Sequence, residues 1–415
     1  MRKPNPWTWI PSLYFAEGLP YVAVMTVSVI MYKNLDISNT DIAFYTSWLY
    51  LPWVIKPLWS PFVDLIKTKR WWVYTMQLLT GGGMAGIAFT IPMDFFFQAT
   101  LAFFWLMAFS SATHDIAADG FYMLGLSEEN QAFFIGIRNT FYRFAMLTGQ
   151  GLLVMLAGFL EKTTERIPFS WSIVFFILAG VFTGLALWHK FILPRPISDV
   201  QRTGIKPQTI LTEFGKTFAG FFQKKGIVAA LLFMLTYRLG ESQLVKLASP
   251  FLLDKHGVGG LELETAQVGF AYGAVGVISL LFGGILGGIA ISASGLKKCL
   301  WPMALAISLP NLAYLYMAYA LPENIYIINA CVGIEQFGYG YGFTAYTMYL
   351  MLFSNGEYKT SHYAICTGFM ALGMMLPGMA SGWIQEMIGY QYFFIWVMIC
   401  CIPAFLTIPF LKIRE

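Results

Sequence analysis

Charge is scarce in this chain. Asp, Glu, Lys and Arg make up 12% of its 415 residues, against 57% hydrophobic ones. That is about half the charged fraction of an ordinary soluble domain, which excludes a water-facing globule. Long polar stretches are missing too: the widest gap between apolar runs, residues 191–225, is too short for a folded soluble module. Histidine is rare, with 4 residues scattered and none at metal-ligand spacing from another, so no metal site is expected. The five cysteines (Cys299, Cys331, Cys366, Cys400, Cys401) lie within or beside apolar runs without metal-ligand spacing, which predicts free buried thiols. The glycine clusters Gly81 to Gly83 and Gly338 to Gly342 do not follow strands, so they read as helix-packing positions rather than phosphate loops. The net charge of +4 is spread over the short breaks, and neither a nucleic-acid partner nor a cofactor is expected.

What the chain has in abundance is apolar runs of membrane-spanning length. A helix needs about 20 such residues to cross a hydrocarbon core of ~30 Å. Runs fall near 8–31, 42–63, 71–92, 97–121, 133–160 and 169–190, then near 226–253, 265–292, 299–320, 325–353, 361–385 and 390–411. Arg2 and Lys3 precede a first run that contains prolines and Glu17 and lacks a small-residue cleavage site, so it reads as a retained helix. Trp7, Trp9, Trp48, Trp53, Trp71 and Trp72 lie near run ends, where indole rings anchor at headgroup depth. With the N-terminus in the cytoplasm, 17 of the 26 Lys and Arg residues fall in cytoplasmic segments and 4 outside (Lys33, Lys162, Arg166, Lys255), which favours that orientation. The expected fold is therefore all-α and polytopic, with twelve transmembrane helices in two six-helix bundles. The halves are 1–191 and 226–415, joined by a cytoplasmic linker over 192–225. Within the linker Ile210, Phe214, Phe218 and Phe222 share one helical face beside Lys216, Lys224 and Lys225, the pattern of a helix lying on the membrane surface.

An ionisable side chain at membrane depth costs about 2.5–3.5 kcal/mol on insertion scales, so such residues face a cavity or a partner. At 1.5 Å per residue, Glu17 falls about 15 Å from the cytoplasmic end of the first run, near the midplane. Arg143, Arg238, Glu241 and Glu335 reach a similar depth, Lys56 and Asp115 lie a turn or two nearer the cytoplasm, and Asp119 is closer still. These charges occupy runs 1, 2, 4, 5, 7 and 10 and avoid runs 3, 6, 9 and 12, as expected if every third helix faces lipid.

Charges of both signs at the midplane suit an occluding solute site better than a continuous pore. Arg143 and Arg238 read either as clamps for a carboxylate or phosphate on the solute or as members of permanent ion pairs with Asp115, Glu17 or Glu335. Lys56, Glu17, Glu335 and Tyr142 complete the candidate solute site. Glu17, Glu241, Glu335 and Asp115 are the candidate proton carriers, because a carboxylate in a low-dielectric cavity binds its proton more tightly. Asp64, Lys69, Arg70 and Asp119, near the cytoplasmic face, read as gating residues. Tyr14, Tyr21, Tyr45, Trp53, Tyr142, Tyr339 and Tyr341 either stack on sugar rings or pack. No nucleophile, metal cluster or acid–base spacing supports an enzyme, and no sizeable soluble domain supports a receptor.

The tight basic breaks at 64–70 and 292–298 hold equivalent places in the two halves. Asp64, Lys69 and Arg70 match the acidic and basic positions of the loop signature of the major facilitator superfamily, while Leu65 and Lys67 depart from it. Further segments resemble the AmpG-like muropeptide permease branch of that superfamily, which is related to acetyl-CoA transporters. They are Gly18-Leu-Pro, Lys56-Pro-Leu-Trp-Ser-Pro-Phe-Val-Asp64, Ser111-Ala-Thr-His-Asp-Ile-Ala-Ala-Asp119, Tyr142-Arg143, Tyr237-Arg-Leu-Gly-Glu241, and Glu335 ahead of a glycine-rich run. The resemblance implies a major facilitator fold and proton symport of amino-sugar cell-wall fragments into the cytoplasm across the inner membrane. Lys56, Asp115, Asp119, Arg143, Arg238, Glu241 and Glu335 match charged family positions, whereas Glu17 stands where a small polar residue is expected. A free amino sugar, a siderophore or another organic anion is the alternative solute. Protons and the bilayer are the other expected partners, and a monomer is the default state.

Overall fold

A helix satisfies its backbone N–H and C=O groups within its own segment, which is why helices suit a hydrocarbon solvent. In the computed structural model, which describes residues 5–199, 207–356 and 359–413, helices are the sole regular structure. Side chains at 61, 62, 64, 65, 128, 129, 132, 135, 207–211, 213, 214 and 360 lie outside that description.

Helix occupies all twelve apolar runs. In chain order α1 is Pro6–Asn34, and the second run is divided between α2 (Asn39–Trp48) and α3 (Leu51–Ile66). Then come α4 (Lys69–Thr90), α5 (Phe96–Gly125), α6 (Gly136–Thr164) and α7 (Ile167–Ile192). The linker helix is α8 (Pro207–Phe222), and the seventh run is divided into α9 (Ile227–Thr236) and α10 (Leu239–Leu253). Next are α11 (Thr265–Ser294), α12 (Leu296–Ala320), α13 (Ile325–Ser354) and α14 (Lys359–Cys400).

Among the described residues, seven stretches are long and apolar enough to cross a bilayer, and an eighth is gained if the pair Gly215–Phe222 and Ile227–Leu253, bent by 92°, is one span. This is fewer than the twelve expected. Part of the difference is that Ser361–Phe410 is a single stretch of 50 residues. At 1.5 Å per residue it would measure ~75 Å, more than twice the hydrocarbon thickness. The backbone turns inside it at Gly389, where φ is 75°, so this stretch holds two of the twelve runs. The second run falls short because it breaks at Leu49 and Tyr50 and carries Lys56.

The chain groups into two compact units, one of Met1–Leu35 with Ile55–Lys206 and the other of Asp36–Val54 with Pro207–Glu415. In the first unit α4 packs on α5 and α7, and α1 packs on the helix that continues into α6. Its core gathers Trp9, Leu13, Tyr14, Ala117, Phe121 and Phe134. In the second unit α11 and α12 pack on α13, while α2 and α10 pack on α14. The glycine-rich run on α13 serves the first of these crossings: a Cβ on Gly340 would run into the Leu280 carbonyl.

The linker helix forms where its apolar face is expected, with Ile210 and Phe214 outside the described side chains. Phe218 and Phe222 of that face are exposed, and the ring that buries is Phe221, one position off the stripe, against Phe353, Phe369 and His362. Lys224 closes the junction by donating to the Phe353 and Asn355 carbonyls at 2.7 and 2.9 Å.

Candidate functional site

In the first unit α1 carries Glu17, buried with Oε2 accepting no hydrogen bond. The helix reaches this depth in tight register with α6, since a Cβ on the neighbouring Gly18 would lie 2.9 Å from the Tyr142 carbonyl. On α3 and α5, Lys56 and Asp115 face each other at 3.8 Å with both side chains partly accessible, a loose pair. One turn further along α5, Asp119 receives Arg138 of α6 at 2.9 Å and the Tyr14 hydroxyl at 3.3 Å. The Arg138 guanidinium also lies over the Tyr14 ring at 4.4 Å and the Tyr122 ring at 5.4 Å, so the pair is walled by aromatic faces.

Arg143 finds no carboxylate among the described residues; its one hydrogen-bond partner there is the Met146 sulfur at 3.6 Å. Tyr142 is half-buried beside it. Lys69 and Arg70 open α4 and are fixed through their backbone: both amides donate to the Asp199 carboxylate, at 2.7 and 3.0 Å. The Arg70 side chain donates to the Leu193 and Lys190 carbonyls. The side chain of Asp64 lies outside the described residues.

In the second unit Arg238 and Glu241 form a bidentate pair at 2.6 and 3.0 Å, as their spacing of three on one helix allows. Tyr339 accepts from the same guanidinium at 3.0 Å, and Phe343 lies under it at 4.9 Å. Arg238 is thus held within its own unit in this conformation, by Glu241 rather than by Asp115, Glu17 or Glu335. Glu335 is buried on α13, and its hydrogen bond comes from the neighbouring Gln336 amide at 2.9 Å. Among the described residues no cation lies within salt-bridge distance of Glu335 or Glu17.

Three features escaped the reading of the sequence. Arg138 is the partner of Asp119, and only the fold joins the two helices. Gln77 and His189 sit on α4 and α7, helices without embedded charge, yet both turn inward. They complete a buried chain in which Ser12 meets His189 Nε2 at 2.8 Å, His189 Nδ1 meets Gln77 Oε1 at 2.8 Å, and Gln77 Nε2 meets His114 Nε2 at 2.9 Å. The third is a docking of α2 on α14 within the second unit. Asn39 donates to Gln385 at 2.7 Å, to the Tyr390 hydroxyl at 2.9 Å and to Asp254 at 3.2 Å, and Tyr390 itself donates to Asp254 at 2.6 Å. Neutral amides and hydroxyls near helix ends give no hydropathy signal that could have marked them.

Buried acids outside salt-bridge distance of the described cations, basic residues held by helix ends and polar cores inside apolar bundles are what a carrier uses to bind and release polar cargo. The family model described as Major Facilitator Superfamily matches residues 12–361. The chain belongs to this superfamily. It is therefore a multi-pass membrane transporter, a carrier rather than an enzyme. Its resemblance to AmpG-named transporters extends over nearly the whole chain. It is 26% identical over 412 residues to putative transporter AmpG 4 of Rickettsia conorii, covering 97% of this chain and 95% of that one. It is 25% identical over 409 residues to the anhydromuropeptide permease of Escherichia coli K12, covering 95% of this chain and 77% of that one. Among solved structures the superfamily fold recurs in the nucleoside transporter NupG, with a TM-score of 0.71 at 16% identity over 99% of this chain and 100% of that one. A D-xylose–proton symporter gives a TM-score of 0.71 at 10% identity, over 98% of this chain and 97% of that one.

Proposed function

We propose that this carrier imports peptidoglycan-derived amino-sugar fragments, with or without attached peptide, by proton symport across the cytoplasmic membrane, its termini facing the cytoplasm. The observation that carries the reading is the similarity, along 95% or more of the chain, to putative transporter AmpG 4 and to the anhydromuropeptide permease. The geometry supports the roles. Among the described residues Glu335 and Glu17 are buried acids with no cation within salt-bridge distance, so each is held at membrane depth at lower cost protonated than charged. Arg143 meets no carboxylate among the described residues and is the first-choice contact for an anionic group, with Tyr142 beside it. Arg238 and Glu241 hold one another at rest, and the Asp119–Arg138 pair is the candidate inner gate. Lys69 and Arg70, anchored on Asp199, stiffen the neighbouring loop. Lys56 and Asp115, loosely paired, can exchange partners with the solute or a proton.

The test is uptake of labelled N-acetylglucosaminyl-anhydro-N-acetylmuramic acid into proteoliposomes, with and without an inward proton gradient. Gradient-stimulated uptake is expected. Uptake that ignores the gradient would remove proton coupling. No uptake by folded protein would remove the substrate and move the search to free amino sugars, siderophores and other organic anions.

A further inference from the structure

The second unit holds a buried cation that none of these roles uses. Lys246 lies on α10, about 12 Å along the helix from Arg238 at 1.5 Å per residue, and is 1% exposed. Its ammonium donates one hydrogen bond, to Thr46 Oγ1 of α2 at 3.0 Å, and lies 5.1 Å from the centroid of the Tyr50 ring. The Thr46 hydroxyl proton is already given to the Ile42 carbonyl at 2.6 Å, so Thr46 acts here as acceptor only.

Among the described residues no acid lies within salt-bridge distance of Lys246, and Glu335 on α13 accepts from Gln336. On its own helix Glu241 is held by Arg238, and just beyond that helix Asp254 is taken by Asn39 and Tyr390. On α2 Asp41 accepts from Ser38, and on α14 Glu386 accepts from the Thr40 amide and hydroxyl. Two ammonium protons are therefore left over. A second donor beside them is also unused: the Ser47 hydroxyl is fully buried and has no hydrogen-bond partner. Both groups border Gly378, where an added Cβ would lie 2.7 Å from Ser47 Oγ and 3.4 Å from Lys246 Cγ. Buried donors left without acceptors are uncommon in native proteins and call for a cause.

The cover over this site is α2. Both ends of the segment Asp36–Val54 continue into the other unit. We propose that Lys246, with Thr46 and Ser47, is an anion-recognition site for the solute: covered by α2 in this conformation, it receives a carboxylate or phosphate oxygen once α2 lifts. The assignment of the anion to the solute rests on the carrier reading above. An anionic group that meets Lys246 only with α2 displaced binds that state selectively, and so shifts the carrier toward it.

Two arms test this on the full chain. In the first, binding is followed by thermal stabilisation of purified protein with two probes, N-acetylglucosaminyl-anhydro-N-acetylmuramic acid, which carries a carboxylate, and uncharged diacetylchitobiose. Lys246→Met is expected to weaken the acidic probe by about tenfold or more and to leave the neutral probe unchanged, while Lys246→Arg keeps the preference for the acid. Unchanged acid affinity in Lys246→Met, or an equal loss for both probes, overturns the proposal, and binding of the neutral probe shows the variant is folded.

The second arm needs no solute. In Gly382→Ala, where the new Cβ collides with the Asn39 carbonyl under α2, a water-soluble amine-acetylating reagent is expected to modify Lys246, with inorganic phosphate slowing it several-fold relative to chloride at equal ionic strength. Protection by phosphate when neither disaccharide binds the native protein would keep the anion site and discard the muropeptide reading. Modification without protection, or none at all, would discard the site whatever the disaccharides do.

Discussion

Glu335 and Arg138 are opposite cases of a charge inside a membrane helix. Glu335 is a buried acid whose partner is an amide, so its charge state is free to follow the cycle. Replacing it with glutamine keeps the hydrogen-bonding shape and removes the titration. Glu335→Gln is expected to cut gradient-driven accumulation by about tenfold or more while equal-pH exchange of solute persists; loss of exchange as well would make Glu335 a solute ligand instead. Arg138 is bound on every side, by the Asp119 carboxylate and two tyrosine rings. Asp119 is itself 46% accessible, so solvent screening limits the pair. A double-mutant cycle with Arg138→Met and Asp119→Asn should return a coupling of about 0.5–1 kcal/mol in detergent unfolding. A coupling near zero would remove the pair as an inner gate. The sequence exposes these residues unequally. Arg238 and Glu241 can be paired on paper because three residues separate them on one helix. Arg138 and Asp119 cannot, because their meeting depends on how two separate helices cross.

At the scale of elements, α2 is held on α14 by close packing and by a set of small polar contacts at its start. The two amide protons of Asn39 are shared among three acceptors, and α14 makes room for the α2 backbone at Gly382. Asn39→Leu is expected to remove these bonds, leave Asp254 and Gln385 underused, and raise labelling of an Ile42→Cys reporter by a membrane-impermeant thiol reagent several-fold; Ile42 is fully buried in the native chain. An unchanged labelling rate would mean that α2 is held elsewhere. The linker end of α8 is a second such joint. Lys224→Met deletes two charged hydrogen bonds to the Phe353 and Asn355 carbonyls and should lower unfolding stability by roughly 1.5–3 kcal/mol, read from denaturation in detergent. Neither joint is legible in sequence. Apolar periodicity marks where a helix lies and which face is greasy, and that suffices to find α8. It does not rank Phe221 above Phe222, because the choice of buried ring is made by Phe353, Phe369 and His362 far along the chain.

For the whole molecule, hydropathy marks the twelve runs that hold helix, because in lipid the cost of an unsatisfied backbone leaves few other options, yet it reads α2 with α3 and α9 with α10 as one each. It does not say which helices share a unit, and the grouping of Asp36–Val54 with the C-terminal residues is invisible to it. The count of crossings is where sequence and structure press on each other most. Ser361–Phe410 is one apolar, largely helical stretch of 50 residues, ~75 Å long by residue count, and Gly389, at φ 75°, is the point where it can double back. If it crosses twice, residues on either side of Gly389 near 386–391 face the side opposite both the 355 break and the C-terminus. Cysteines placed singly at Gly356, Glu386 and Lys412 and labelled in sealed right-side-out vesicles decide this. Twelve crossings with cytoplasmic termini predict labelling from outside at 386 and only after permeabilisation at 356 and 412. Labelling of 386 and 412 from the same side would make the last stretch a single crossing, place the C-terminus outside, and reverse the sidedness assigned to Lys412.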